Sequence, residues 1–181
     1  MSEILFLIGY RATGKSTVAR LLAERLRWSW IDADVLLEER AGRSIRAIFA
    51  DEGEQGFRER ESVLLGELCT TPRRVVATGG GIVLRTENRQ RMRSAGKVTW
   101  LTADAQTIWQ RLQNDVTTSQ RRPTLTVGGF EEVQTLLQAR QPLYDACADL
   151  IVDTTGRSPD EVVSIILGSI VEGGPVGTAL H

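Results

Sequence analysis

Short apolar runs alternate along the chain with stretches whose apolar residues recur every three to four positions. Ile4-Leu5-Phe6-Leu7-Ile8 is apolar throughout, the pattern of a central strand covered on both faces. Over residues 17–27, Val18, Leu21, Leu22 and Leu26 recur at helical spacing. Trp30-Ile31 predicts a short second strand, and two helical stretches follow, broken near Gly42 and Gly53. Val75-Val76-Ala77 predicts a third strand that runs into Gly79-Gly80-Gly81. Thr86 is placed to cap the next helix and Gly96 to end it. Residues 98–101 predict a fourth strand, and Asp104 can cap the helix after it. From about 114 to 129 the chain is polar and aperiodic, and a loop of that length in a compact fold is usually functional. A long helix over about 130–147 leads to a fifth strand, Leu150-Ile151-Val152. Ser158-Pro159-Asp160-Glu161 then combines a capping box with proline at the first helical position. Residues 172–181 are Gly-rich and are expected to form a disordered tail.

Strands alternating with helices imply an α/β fold, a parallel sheet covered on both faces, with ligands beyond the carboxyl ends of the strands. The expectation is one domain over 1–171. Its 41% hydrophobic and 25% charged residues suit a globular protein. A net charge of -1 argues against a general nucleic-acid binder but leaves room for a local basic pocket. Cys69 and Cys147 lack metal-ligand spacing and read as buried free thiols of a reducing cytoplasm. No stretch approaches the roughly 20 apolar residues of a membrane span, and the run at 4–8 lacks the basic start and cleavage site of a signal peptide.

Gly9-Tyr10-Arg11-Ala12-Thr13-Gly14-Lys15-Ser16, followed by Thr17, fits the phosphate-loop pattern and sits between an apolar strand and an amphipathic helix. Glycines let such a loop turn its N–H groups toward phosphate oxygens, and the following helix adds its positive end. Lysine occurs only at Lys15 and Lys97 in an Arg-rich chain. Lys15 stands where a mobile point charge differs most from a guanidinium. Ser16 can hold Mg²⁺. The carboxylates of Asp32-Ala33-Asp34, at the end of the second strand, face the phosphate site. One can organise Mg²⁺ or its waters and the other can take a proton from an attacking hydroxyl, unless one merely caps the next helix. Arg58 and Glu61, three apart, read on their own as a solvated helix pair. Gly79, Gly80 and Gly81 remove every side chain, either for a ligand to reach the backbone or for a turn. Arg140-Gln141-Pro142-Leu143-Tyr144 interrupts a helical pattern, and Arg121-Arg122 lies in the polar loop.

Together these segments resemble the shikimate kinase family over about residues 4–165. The string is the phosphate loop, Asp-x-Asp, Ile48-Phe49 with Gly53-Glu54, Phe57-Arg58-x-x-Glu61, Thr78-Gly79-Gly80-Gly81, Arg122-Pro123 and Arg140-x-Pro142-x-Tyr144. The resemblance implies a three-layer αβα P-loop kinase fold with a five-stranded parallel sheet. It implies transfer of a phosphoryl group from ATP, with Mg²⁺, to the 3-hydroxyl of shikimate; a cytoplasmic monomer is the expectation. Asp34 then matches the residue that holds ring hydroxyls and assists proton removal, with Lys15 and Arg122 as charge-stabilising partners. Arg58 and Arg140 match the arginines that clamp the substrate carboxylate, a task that suits a bidentate guanidinium. Gly79, Gly80 and Gly81 match the substrate-contacting backbone, and Ile45, Phe49 and Phe57 the apolar wall. Residues 9–17 match the ATP phosphate site, Ser16 and Asp32 the Mg²⁺ site. Arg111 and Pro159, with Arg157 nearby, match the adenine site. The loop at 114–129 corresponds to the family's lid, and Arg122-Pro123-Thr124-Leu125 is similar to the second bacterial isoenzyme type. A gluconate kinase on the same fold, or a regulatory nucleotide-binding domain without chemistry, would keep the phosphate loop. The paired arginines and the triple glycine favour the anionic ring acceptor.

Overall fold

The computed structural model describes residues 4–114 and 129–171. Arg121, Arg122 and the rest of the expected lid at 115–128, like the expected tail at 172–181, lie outside the described residues. Five strands form one parallel sheet in the order β2-β3-β1-β4-β5. They are β1 (Ile4–Ile8), β2 (Ser29–Asp32), β3 (Arg74–Ala77), β4 (Lys97–Thr102) and β5 (Leu150–Asp153). The apolar run therefore occupies the centre. Leu7 pairs with Ala77 and Thr99, and Asp32 with Ala77, so the strands' carboxyl ends open on a common edge.

The helices are α1 (Lys15–Leu26), α2 (Ala33–Ala41), α3 (Ile45–Leu68), α4 (Thr86–Ala95), α5 (Ala105–Asn114), α6 (Gly129–Asp145) and α7 (Pro159–Val171). Because strand side chains alternate, β1 feeds two cores. Ile4, Phe6 and Ile8 pack with residues of α2, α3, α4 and α6. Leu5 and Leu7 pack with residues of α1 and α7. The result is the expected three-layer αβα arrangement. No described helix is long and apolar enough to cross a membrane.

Local chemistry sets most element ends. Gly42 closes α2 at φ 63°, and Ser44 Oγ accepts from Ala47 N at 3.2 Å to open α3. Gly53, at φ 70°, breaks the path of α3. Asp104 caps α5 through Thr107 N at 2.8 Å. In the capping box Ser158 N donates to Glu161 Oε2 at 2.7 Å, while Glu161 N donates to Ser158 Oγ at 3.3 Å. Two expectations change. Thr86 is the first residue of α4 and not its cap; Arg85 takes the cap position without a side-chain bond. Pro142 lies inside α6 without ending it.

Gly96 joins α4 to β4 where the chain meets the start of β1. A Cβ there would stand 2.3 Å from the Ile4 carbonyl oxygen, and that oxygen belongs to backbone that cannot step aside. Gly96→Ala is therefore expected to cost about 1–3 kcal/mol, the usual range for forced overpacking. Urea denaturation would show it as a lower midpoint. An unchanged midpoint would mean that β1 and α4 do not approach this closely.

Candidate active site

The loop between β1 and α1 reverses direction in very little space. Gly9 adopts φ 140°, and a Cβ on it would lie 2.2 Å from the Leu101 carbonyl oxygen. Ala12 and Gly14 also have positive φ, 60° and 87°. Lys15 Nζ donates to the Gly9 and Tyr10 carbonyls at 2.9 and 2.7 Å. Thr13 Oγ1 donates to the Tyr10 carbonyl at 2.9 Å. Lys15 thus opens α1 with its ammonium at the loop, where the helix end favours an anion. Tyr10 itself turns inward. Its side chain is buried and packs with Ala103, Ile108 and Val133. Arg11 is buried as well.

Beside the loop, Ser16 Oγ donates to Asp32 Oδ2 at 2.5 Å. The other carboxylate oxygen, Asp32 Oδ1, accepts from Asp34 N and Val35 N at 3.0 and 3.2 Å and so caps α2. The cap among the paired aspartates is therefore Asp32, and it also reaches Ser16. Asp34 stands half-buried in the first turn of α2. A hydroxyl and a carboxylate oxygen side by side are hard donors of the kind Mg²⁺ takes, so the residues present fit that ion. No cluster of three or more His, Cys, Asp or Glu side chains able to hold a metal occurs among the described residues.

Across the sheet edge the solvated reading of Arg58 and Glu61 fails. Their side chains are only 9% and 5% exposed, and Arg58 Nη1 donates to Glu61 Oε2 at 2.8 Å. Glu54 Oε1 lies 3.3 Å from Arg58 Nη2. Burial opposes the charge on Arg58, but Glu61 and Glu54 outweigh it and raise its pKa. The Arg58 guanidinium carbon stands 5.1 Å from the centre of the Phe57 ring, and the Phe49 and Phe57 rings are 4.7 Å apart. Phe57 and Ile45 are buried, Phe49 partly so.

Arg140, from α6, is also buried and donates to the Gly80 carbonyl at 3.4 Å. Tyr144 OH donates to the same oxygen at 2.5 Å, and its ring stacks on Trp100 with centres 5.5 Å apart. Burial pushes the Tyr144 phenol up to about 12, with Arg140 pulling the other way, so this hydroxyl remains a donor at neutral pH. A Cβ on Gly81 would fall 2.3 Å from the Arg58 guanidinium nitrogens. The glycine turn is thus where Arg58 and Arg140 converge. In the sequence Tyr144 stands out only as part of a motif. Its spacing of four from Arg140, one helical turn on the same face, was the available signal. Burial of Glu61 had no such local signal.

Arg111 reaches from α5 to the Ala12 carbonyl at 3.2 Å and to Thr154 Oγ1 and O at 2.9 and 2.8 Å. Arg157 Nη1 donates to the Asp153 carbonyl at 3.1 Å, and Pro159 opens α7 just beyond. Arg111, Arg157 and Pro159 therefore gather around the turn after β5, next to the phosphate loop.

A family model described as shikimate kinase matches residues 11–171. The chain belongs to the shikimate kinase family. A shikimate kinase of Rhodopirellula baltica is 46% identical over 164 residues, which span 90% of this chain and 88% of that protein. The structure of shikimate kinase from Acinetobacter baumannii in complex with shikimate superposes with a TM-score of 0.88 at 33% identity, covering 94% of this chain and 93% of that one. A gluconokinase from Sinorhizobium meliloti shares the fold alone, with a TM-score of 0.62 at 15% identity over 94% of this chain and 93% of its own. The activity is that of a phosphotransferase acting on an alcohol group of shikimate, with ATP as co-substrate.

Glu61 is the one described carboxylate that is buried with Arg58. Removing one partner of a buried ion pair typically costs about 3–5 kcal/mol. Glu61→Ala should lose stability on that scale in chemical denaturation. A loss below about 1 kcal/mol would show that Glu54 alone suffices for the guanidinium.

Proposed function

We propose the following division of labour for transfer of the γ-phosphoryl group of ATP to the 3-hydroxyl of shikimate. The observation that carries it is the convergence of two buried arginines from different elements, Arg58 and Arg140, on one glycine turn at the carboxyl edge of the sheet. Two guanidiniums held there suit a carboxylate, which each can bind in bidentate fashion. The shikimate carboxylate would sit between them, with the ring against Phe49, Phe57 and Ile45 and over the backbone of Gly79, Gly80 and Gly81. Asp34 would hold ring hydroxyls and take the proton of the attacking one.

On the nucleotide side, the N–H groups of residues 9–17 and the Lys15 ammonium would bind the phosphates. Arg111, Arg157 and Pro159 would flank the adenine. Phosphoryl transfer asks a protein mainly for positioning and charge stabilisation, and Lys15 is the described cation closest to this task. Ser16 and Asp32 would hold Mg²⁺, directly or through water. When bound, Mg²⁺ neutralises charge on the nucleotide phosphates. The same reading makes the protein a cytoplasmic monomer with small-molecule partners and no nucleic acid.

Arg58→Ala and Arg140→Ala should each weaken shikimate binding by about 2–5 kcal/mol, the range for truncating one partner of a buried charge pair. Titration calorimetry with ADP and with shikimate checks this. Equal losses for both ligands would remove the carboxylate clamp.

Asp34→Asn keeps shape and hydrogen bonding but cannot accept a proton at neutral pH. Its kcat should fall by roughly 10²–10⁴-fold, the share of a general base. Asp32→Asn should instead raise the Mg²⁺ concentration needed for half-maximal rate. If excess Mg²⁺ rescued the Asp34 variant and not the Asp32 variant, the two roles would be exchanged.

A further inference from the structure

The nucleotide loop and the acceptor arginine are built on different elements, yet they meet at one side chain. Tyr10 leaves β1 inside the phosphate loop, and its carbonyl accepts from both Lys15 Nζ and Thr13 Oγ1, at 2.7 and 2.9 Å. Its ring lies under Arg140, with the guanidinium carbon 5.8 Å from the ring centre. That is within the range in which a cation is attracted to an aromatic face, and the attraction grows when the pair is desolvated. Tyr10 is 1% exposed and Arg140 9%. The backbone closes the same connection. A Cβ on Gly80 would meet the Gly9 carbonyl oxygen at 3.4 Å, Arg11 N at 3.6 Å and the Tyr10 carbonyl carbon at 3.8 Å. Gly80 therefore rests on the phosphate loop while its own carbonyl accepts from Arg140 and Tyr144. The Tyr10 hydroxyl is buried beside Arg11. Arg11, Arg140 and Glu132 of α6 are the charged groups around it, and burial raises its pKa while the two arginines pull it back.

We infer that Tyr10 is a positioning residue that couples nucleotide binding to acceptor binding, through a carbonyl that holds Lys15 and a ring that backs Arg140. A phosphate that draws Lys15 changes the hydrogen bonding of the Tyr10 carbonyl. The ring moves with its own backbone, and Arg140 rests on the ring. Packed interiors pass such displacements on because they lack free volume. Coupling of this kind is reciprocal: whatever ADP does for shikimate, shikimate does for ADP. The generic phosphate-loop pattern leaves this position open, so the coupling is a property of the residue that this chain places there. The inference rests on the assignment of Arg140 to the acceptor carboxylate.

The test is titration calorimetry with shikimate, alone and with saturating Mg²⁺ and ADP. In the wild-type chain ADP should tighten shikimate binding at least about fivefold, the lower end of usual coupling. Tyr10→Leu should bring the ratio of the two dissociation constants to within about twofold of one. Tyr10→Phe, which keeps the ring, should preserve the wild-type ratio. If Tyr10→Leu fails to fold by circular dichroism, Tyr10→Met, which fills similar space without a ring, is read in the same way. A merely structural role would shift both dissociation constants and leave their ratio in place. Absence of coupling in the wild type, or a wild-type ratio in the ring-free variant, overturns the inference. Arg140→Ala separates the two levels. If it leaves shikimate affinity unchanged, the acceptor assignment itself fails. If it weakens shikimate while the ring-free variant keeps the ratio, only the coupling fails.

Discussion

Four cations, Arg11, Lys15, Arg58 and Arg140, are buried near the carboxyl edge of one sheet, each 8–9% exposed. A buried charge is costly unless paired or richly hydrogen-bonded. Much of the architecture around the site can be understood as an answer to that cost. Arg58 receives a buried carboxylate from its own helix, Glu61. Lys15 and Arg140 receive backbone carbonyls from Gly9, Tyr10 and Gly80. Carbonyls can serve only if the backbone comes close, which explains the glycines. Gly81 has no Cβ because the Arg58 guanidinium occupies that space, and Gly9 has none because the Leu101 carbonyl does.

The layers were legible because they rest on local periodicity. The run at β1 could only be a central strand, and alternation within it feeds two cores. The phosphate loop was legible for a similar reason, since its chemistry is carried by nearby backbone. Burial of Arg58 and Glu61 was not. A pair at spacing three looks the same on a solvated helix, and only the packing of α3 against the glycine turn distinguishes them. The inward turn of Tyr10 escaped for the same reason, because its partners lie on α5 and α6, far along the chain. Asp32 and Asp34 show an intermediate case. Both carboxylates were placed at the sheet edge, but which one caps α2 depended on the backbone path into the helix. Thr86 was misjudged by one residue, the scale on which helix starts are commonly ambiguous.

The two halves of the site are also anchored differently. The proposed nucleotide half is built mostly on the backbone between β1 and α1. The proposed acceptor half depends on side chains from α2, α3 and α6, and α3 is interrupted at Gly53. Ahead of that break Arg43 pairs with Asp51 and Glu52, and across it Glu52 pairs with Arg60. These pairs lie toward solvent, where salt screens them and each is weak. Arg58, one turn past the break, is fixed instead by Glu61 in the interior. Arg58 and Phe57 therefore stand on one side of the break, while Ile45 and Phe49 stand on the other. The break at Gly53 lets the two segments of α3 take different directions, so the position of Arg58 is not set by that of Ile45 and Phe49. An unbroken α3 would tie the two together, and Arg58 would meet the glycine turn, on which Arg140 also converges, only in the direction that Ile45 and Phe49 dictate.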